Sequence, residues 1–182
     1  MDPLQLYDLE SYLFSTVQPR FHAQGWLSAF DFFCIVIWKA NRAKSRVAAR
    51  LLGRGYTDLD GAVRALTSAL AQQPDARARL RLLMLDWGFL LPMASAILTV
   101  LYPDEFTVYD VRVCDALSGY HDLANKSDFE ALWTGYEGLR RAVEQAAPAG
   151  LSLRDKDRWL WGRSFGQQLQ QDIARAFGHH PG

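Results

Sequence analysis

Apolar residues recur along most of the chain at intervals of three and four, the spacing that lines one face of an α-helix. Leu6, Leu9, Leu13 and Val17 form the first such series. It follows Asp2 and Pro3, a pair suited to a helix cap and first turn, and Pro19 predicts its end. A second helix is expected from Ser28 toward Gly53. A third follows Thr57, with Leu59, Val63, Leu66 and Leu70 on one face. A fourth runs from Pro74 to about Trp87, a fifth and very apolar one from about Pro92 to Tyr102, and a sixth begins near Asp110. Ser127 and Glu130 have capping-box spacing and predict the start of a seventh, which Pro148 and Gly150 end. Ser152 opens the last, toward Phe177. No segment alternates apolar and polar residues for long; Phe106 to Tyr109 is the one strand-like run, and it is short. The expectation is an all-α fold, a compact bundle of about eight helices in one domain over residues 1–182, with 178–182 as a frayed tail.

Composition narrows the classes. A chain of 182 residues can bury a real core in one domain. Hydrophobic residues make up 49% and charged residues 22%, which argues against general disorder. No apolar run reaches the roughly 18 residues that cross a bilayer, so no membrane partner is expected. The first ten residues carry acids where an export signal needs basic residues, which predicts a cytoplasmic protein. Cys34 and Cys114 then read as buried free thiols, and two cysteines cannot by themselves ligate a metal cluster. His179 and His180 read as part of the tail. No metal or other cofactor is expected.

Twenty basic residues balance twenty acidic ones, so a generally cationic nucleic-acid binder is excluded and only a local patch can serve. One candidate patch exists. No acid lies between Asp31 and Asp58, and that interval holds Lys39, Arg42, Lys44, Arg46, Arg50 and Arg54. On a single helix Lys39, Arg42, Arg46 and Arg50 share one face, opposite Phe33, Ile37, Val47 and Leu51. Such a stripe can follow a phosphate backbone. It can equally be a solvated face paired with Asp104, Glu105, Asp115, Asp122, Asp128 or Glu130.

The segment GFLLPMASAILTVLYPDEFTVYDVRV, residues 88–113, reads as a tight turn, a helix start rich in small residues, an apolar helix, a turn at Pro103, and an aspartate before the next helix. In this order it resembles the core of the helix-hairpin-helix DNA glycosylase superfamily, in the 8-oxoguanine glycosylase branch. That family places a glycine-rich hairpin before an apolar helix and its catalytic aspartate after it. The resemblance implies a DNA partner held by its double-stranded phosphate backbone, Gly88 as the first hairpin glycine, and Asp110 as the catalytic carboxylate. Leu90 stands where the second hairpin glycine belongs, and Pro92 where bifunctional members carry a Schiff-base lysine. The implied enzyme is therefore a divergent monofunctional glycosylase without lyase activity, or a fold that binds DNA or protein after losing catalysis. WKANR, residues 38–42, and LRDKDRWLW, residues 153–161, look like further marks of a divergent bacterial branch.

A glycosylase also needs surfaces to hold an extruded base and donors for phosphate. Trp38, Tyr109, Trp159 and Trp161 are candidates for the first task, Arg112 for the second. Each has a plainer alternative: aromatics fill cores, Asp110 can simply cap a helix, and Asp157, between Lys156 and Arg158, suits an ion pair. His22 and His121 stand alone, without triad or metal spacing.

Overall fold

The computed structural model describes residues 3–175 and 177. Among them there is no strand, and the fold is all-α as expected. Backbone contacts divide the chain into two compact units, Met1–Phe106 and Thr107–Gly182.

In the first unit α1 (Pro3–Tyr7), α2 (Leu9–Tyr12), a π-turn (Leu13–Val17) and α3 (Gln18–Gln24) follow one another almost without interruption. Asp2, the expected first cap, lies outside the described residues. Asp8 caps α2 instead, accepting from the amide of Ser11 at 3.1 Å. Pro19 does not end the helical path. It sits in the first turn of α3, just after the π-turn, and helical structure continues to Gly25. Proline is tolerated in a first turn, where its missing N–H has no intrahelical partner, whereas mid-helix its ring clashes with the preceding turn. Gly25, at φ +76°, supplies the left-handed stop.

The helix expected from Ser28 to Gly53 is two helices. Ser28 caps α4 (Ala29–Ala40) as predicted, but Ala40 turns extended at φ −163° and a 3₁₀ turn over Asn41–Ala43 leads into α5 (Lys44–Leu52). Two effects favour the break. One straight helix over 24 residues would be about 36 Å long and would carry Val47 and Leu51 away from the core. Closely spaced cations without an intervening acid also weaken a continuous helix. Folded back, α5 packs on α4 and on α6 (Leu59–Ala71), and Val47 and Leu51 are buried.

α7 (Ala76–Arg81) runs into a second π-turn (Leu82–Asp86), and α8 (Leu91–Leu101) follows. α8 is the centre of this unit. All its residues but Pro92 are buried, as suits a helix apolar on every side. α3, α4 and α7 pack on it. Each of its large side chains contributes about 1.5–3 kcal/mol on burial. One polar cluster sits in this core: buried Asp31 accepts from the Tyr12 hydroxyl at 2.7 Å and from Arg20 at 2.6 Å.

The second unit holds α9 (Val111–Leu117), a 3₁₀ turn (Leu123–Asn125), α10 (Phe129–Ala146) and α11 (Leu153–Ala174). The expected capping box at Ser127 does not form. Asp128, one residue later, caps α10 by accepting from the Ala131 amide at 2.7 Å. This start places Phe129, Leu132, Tyr136, Leu139 and Val143 on one buried face, and a carboxylate favours the positive helix end. The apolar run at 106–109 forms no strand. Thr107 is buried, and its amide and carbonyl both bond the Tyr136 hydroxyl, at 3.1 and 2.6 Å. Cys34 and Cys114 are buried and form no disulfide, one in each unit, as expected. The tail at 178–182, with His179 and His180, lies outside the described residues. Among those residues no helix is long and apolar enough to cross a membrane, and no group of histidine, cysteine and acidic residues could hold a metal ion.

Candidate nucleic-acid interface

Two of the predicted DNA-binding arginines share a face because α5 is amphipathic. Val47 and Leu51 turn inward, so Arg46 and Arg50, one turn apart, turn outward. Lys39 lies at the end of α4 and Arg42 in the 3₁₀ turn, so the break separates them from that face. Among the described residues Arg42, Lys44, Arg46, Arg50 and Arg54 form no ion pair; Lys44 bonds only the Asn41 side chain, at 3.0 Å. Glu105 pairs with Arg79, Asp115 with His121, and Asp122 with Lys126, while Asp128 serves as a cap.

The end of α5 closes on the turn that contains Gly88. The Arg50 guanidinium lies 5.5 Å from the Phe89 ring centre, and its Cδ and Nε come within 4.0 Å of where a Cβ on Gly88 would stand. Arg54 lies 4.6 Å over the Trp87 ring, and Trp87 stacks on Tyr56 at 6.1 Å and 18°. Gly88 is at φ +71°, a conformation that other residues rarely adopt. The π-turn sets this corner up, with the Trp87 amide reaching back five residues to the Leu82 carbonyl. Leu90 then begins α8 with no side-chain cap, and its own side chain is 69% exposed. A basic helix end, a glycine at positive φ and a helix start without a side-chain cap thus share one corner. Both arginine forks and helix starts favour phosphate.

The remaining candidates are dispersed. Trp38 is half-buried, edge-on to Phe14. Tyr109 is buried, and its hydroxyl donates to the carbonyls of Tyr120 and His121, each at 3.0 Å; burial raises its pKa. Asp110 caps α9, its Oδ1 accepting from the Arg112 amide at 3.1 Å. Arg112 is half-buried and forms no ion pair among the described residues. It lies over Trp161 and Phe165, at 5.3 and 5.2 Å, and donates to Gln168 at 2.9 Å. Trp159 and Trp161 are exposed on α11. Asp157 is buried and pairs with Arg154, which bears out the ion-pair reading. His22 bonds the Leu101 carbonyl at 2.7 Å.

The structure thus joins Arg50 and Gly88 within the first unit, with Arg46 on the same face of α5, while Tyr109, Asp110, Arg112, Trp159 and Trp161 belong to the second. Tyr56, Trp87 and Phe89 escaped the sequence reading. The signal for them was present as aromatics on both sides of Gly88 and another just beyond Arg54. Comparison of the chain with protein-family models, curated proteins and solved structures finds no match.

Proposed function

We propose that this chain binds the phosphate backbone of double-stranded DNA through the corner where α5 meets the Gly88 turn. We further propose that it does so as a divergent, monofunctional DNA glycosylase-like protein. The observation that carries the first part is the meeting of Arg50 and Arg54, which form no ion pair among the described residues, with the Gly88 turn at the start of α8, and Arg46 one turn before Arg50 on the same exposed face. Exposed arginines without acid partners raise local potential in a chain whose net charge is zero. The second part rests on the order of residues 88–113, with Asp110 as the carboxylate that would stabilise positive charge on the sugar, and no lysine at Pro92 for strand cutting.

A second reading has its own support. Asp110 already spends one oxygen as a helix cap, and Leu90 replaces a hairpin glycine. Both favour a module that binds DNA without cleaving a base from it.

Binding is tested by the anisotropy of a labelled duplex across a salt series. Wild type is expected to bind with a steep salt slope, and the triple variant Arg46→Gln, Arg50→Gln, Arg54→Gln to lose about 0.9 of slope per phosphate contact removed. Salt-independent or absent binding removes the proposal. Base release from modified duplexes, developed with alkali, decides between the readings. Release abolished by Asp110→Asn supports the enzyme; binding without release leaves the module.

A further inference from the structure

We infer that the outward face of the C-terminal half of α11 is a self-association surface, filled by the same face of a second copy of this chain in antiparallel orientation. The inference is independent of DNA binding. α11 buries Leu153, Asp157, Leu160 and Ser164, which define its inward face. On the other side Trp161, Phe165, Leu169 and Ile173 recur every four residues and are 42, 43, 38 and 58% exposed. The outer face of a helix ordinarily carries charge. Here Arg163 and Asp172, the charged residues between 161 and 173, stand on the two flanks at 100° per residue.

Gly162 and Gly166 lie beside this ridge, one turn apart. A Cβ on either would meet nothing within 4 Å, and neither has a left-handed backbone. Each disfavours the helix by about 1 kcal/mol relative to alanine, with no packing need inside the chain. Together they make a shallow groove parallel to the ridge. The aromatic end of the ridge is already ordered: Trp161 and Phe165 stack at 5.5 Å and 12°, with Arg112 fixed across them by Gln168. A preordered surface loses little side-chain freedom on binding.

Three arguments identify the occupant as a second copy. The ridge and the groove it fits lie on the same helix, and rows of residues four apart interdigitate at about −50° in the commonest helix crossing. Around Gly166, antiparallel order sets the Trp161–Phe165 end of one copy against the Leu169–Ile173 end of the other, twice, as a two-fold axis requires. The flank carrying Asp172, which forms no ion pair among the described residues, also carries Arg158 and faces Arg112; the two-fold brings the acidic end of this flank to the basic end of its mate. The area fits a weak, reversible pair. At about 150–250 Å² per large side chain, the exposed parts of the ridge and Trp159 amount to roughly 300–550 Å² per copy. A pair then buries roughly 600–1,100 Å², the size of a weak, reversible interface.

The test is the molar mass of the full chain by light scattering and sedimentation from about 1 to 100 μM, the range a micromolar dimer spans. Wild type is expected to rise to twice its 20.6 kDa. Leu169→Glu with Ile173→Glu is expected to stay at the single mass with unchanged far-ultraviolet dichroism. Gly166→Leu separates association from folding: it should melt higher, through better helix propensity, yet associate more weakly because it fills the groove. Gly166→Cys should form an intermolecular disulfide on oxidation, since Cys34 and Cys114 are buried. A wild type that is monomeric at the top concentration overturns the inference. So does a dimer indifferent to Leu169→Glu with Ile173→Glu, or one in which Gly166→Cys fails to cross-link.

Discussion

A single hydroxyl organises the segment that looked most like a strand. The Tyr136 oxygen donates to the Thr107 carbonyl and accepts from its amide, so one side chain satisfies a buried backbone residue that a neighbouring strand would otherwise serve. Tyr136→Phe would keep the ring and strand both groups. The expected loss is about 2–3 kcal/mol in urea unfolding, since an unsatisfied buried polar group costs about 1–3 kcal/mol. Thr99 presents the opposite case. It lies at the heart of α8, and its buried hydroxyl has no partner among the described residues. Thr99→Val removes a desolvated polar group at nearly constant volume and is expected to be neutral or to stabilise by up to about 1 kcal/mol. A loss above that in the same assay would mean that the hydroxyl has a partner.

Elements were legible in the sequence wherever apolar periodicity and a single cap agreed. α6, α8 and α11 begin close to where Thr57, Pro92 and Ser152 suggested. Reading failed where two signals competed. Ser127 with Glu130 has the right spacing, yet Asp128 is an equally good cap and its register buries Phe129. Asp128→Ala should therefore cost about 1 kcal/mol in thermal or urea unfolding, the ordinary value of a cap, while Ser127→Ala should change little; the reverse order would restore the capping box. The break between α4 and α5 was hidden because Lys39, Arg42, Arg46 and Arg50 fit one helical face on paper. Whether a helix folds back depends on the core it must reach, and local spacing does not record that. The basic corner was legible only as charge, because Trp87 and Phe89, the rings its arginines meet, lie over thirty residues away in sequence. Asp110 was legible as a helix start; its cap is now seen, and its chemistry awaits the base-release assay.

For the whole molecule, burial decides the response to alkali. Desolvation, then the Asp31 carboxylate, pushes Tyr12 from 10.0 up to about 12 and the Cys34 thiol from 9.0 up to about 11. Burial also raises Tyr136, Tyr109 and Tyr102. A raised pKa means that the folded state holds its proton more tightly than the unfolded chain. Stability from these groups is therefore fully present below about pH 9 and is lost as the pH rises through about 11–12. Denaturation midpoints should stay level from neutral pH to about pH 9 and then fall steadily; a level midpoint at about pH 11 would contradict this. The same burial makes the two cysteines a matched pair of internal clocks. Each unit contains one buried thiol. A reagent that modifies thiols can reach Cys34 and Cys114 only when the structure around each opens. The ratio of their labelling rates thus reads whether the two positions open together or apart, with no change to the chain.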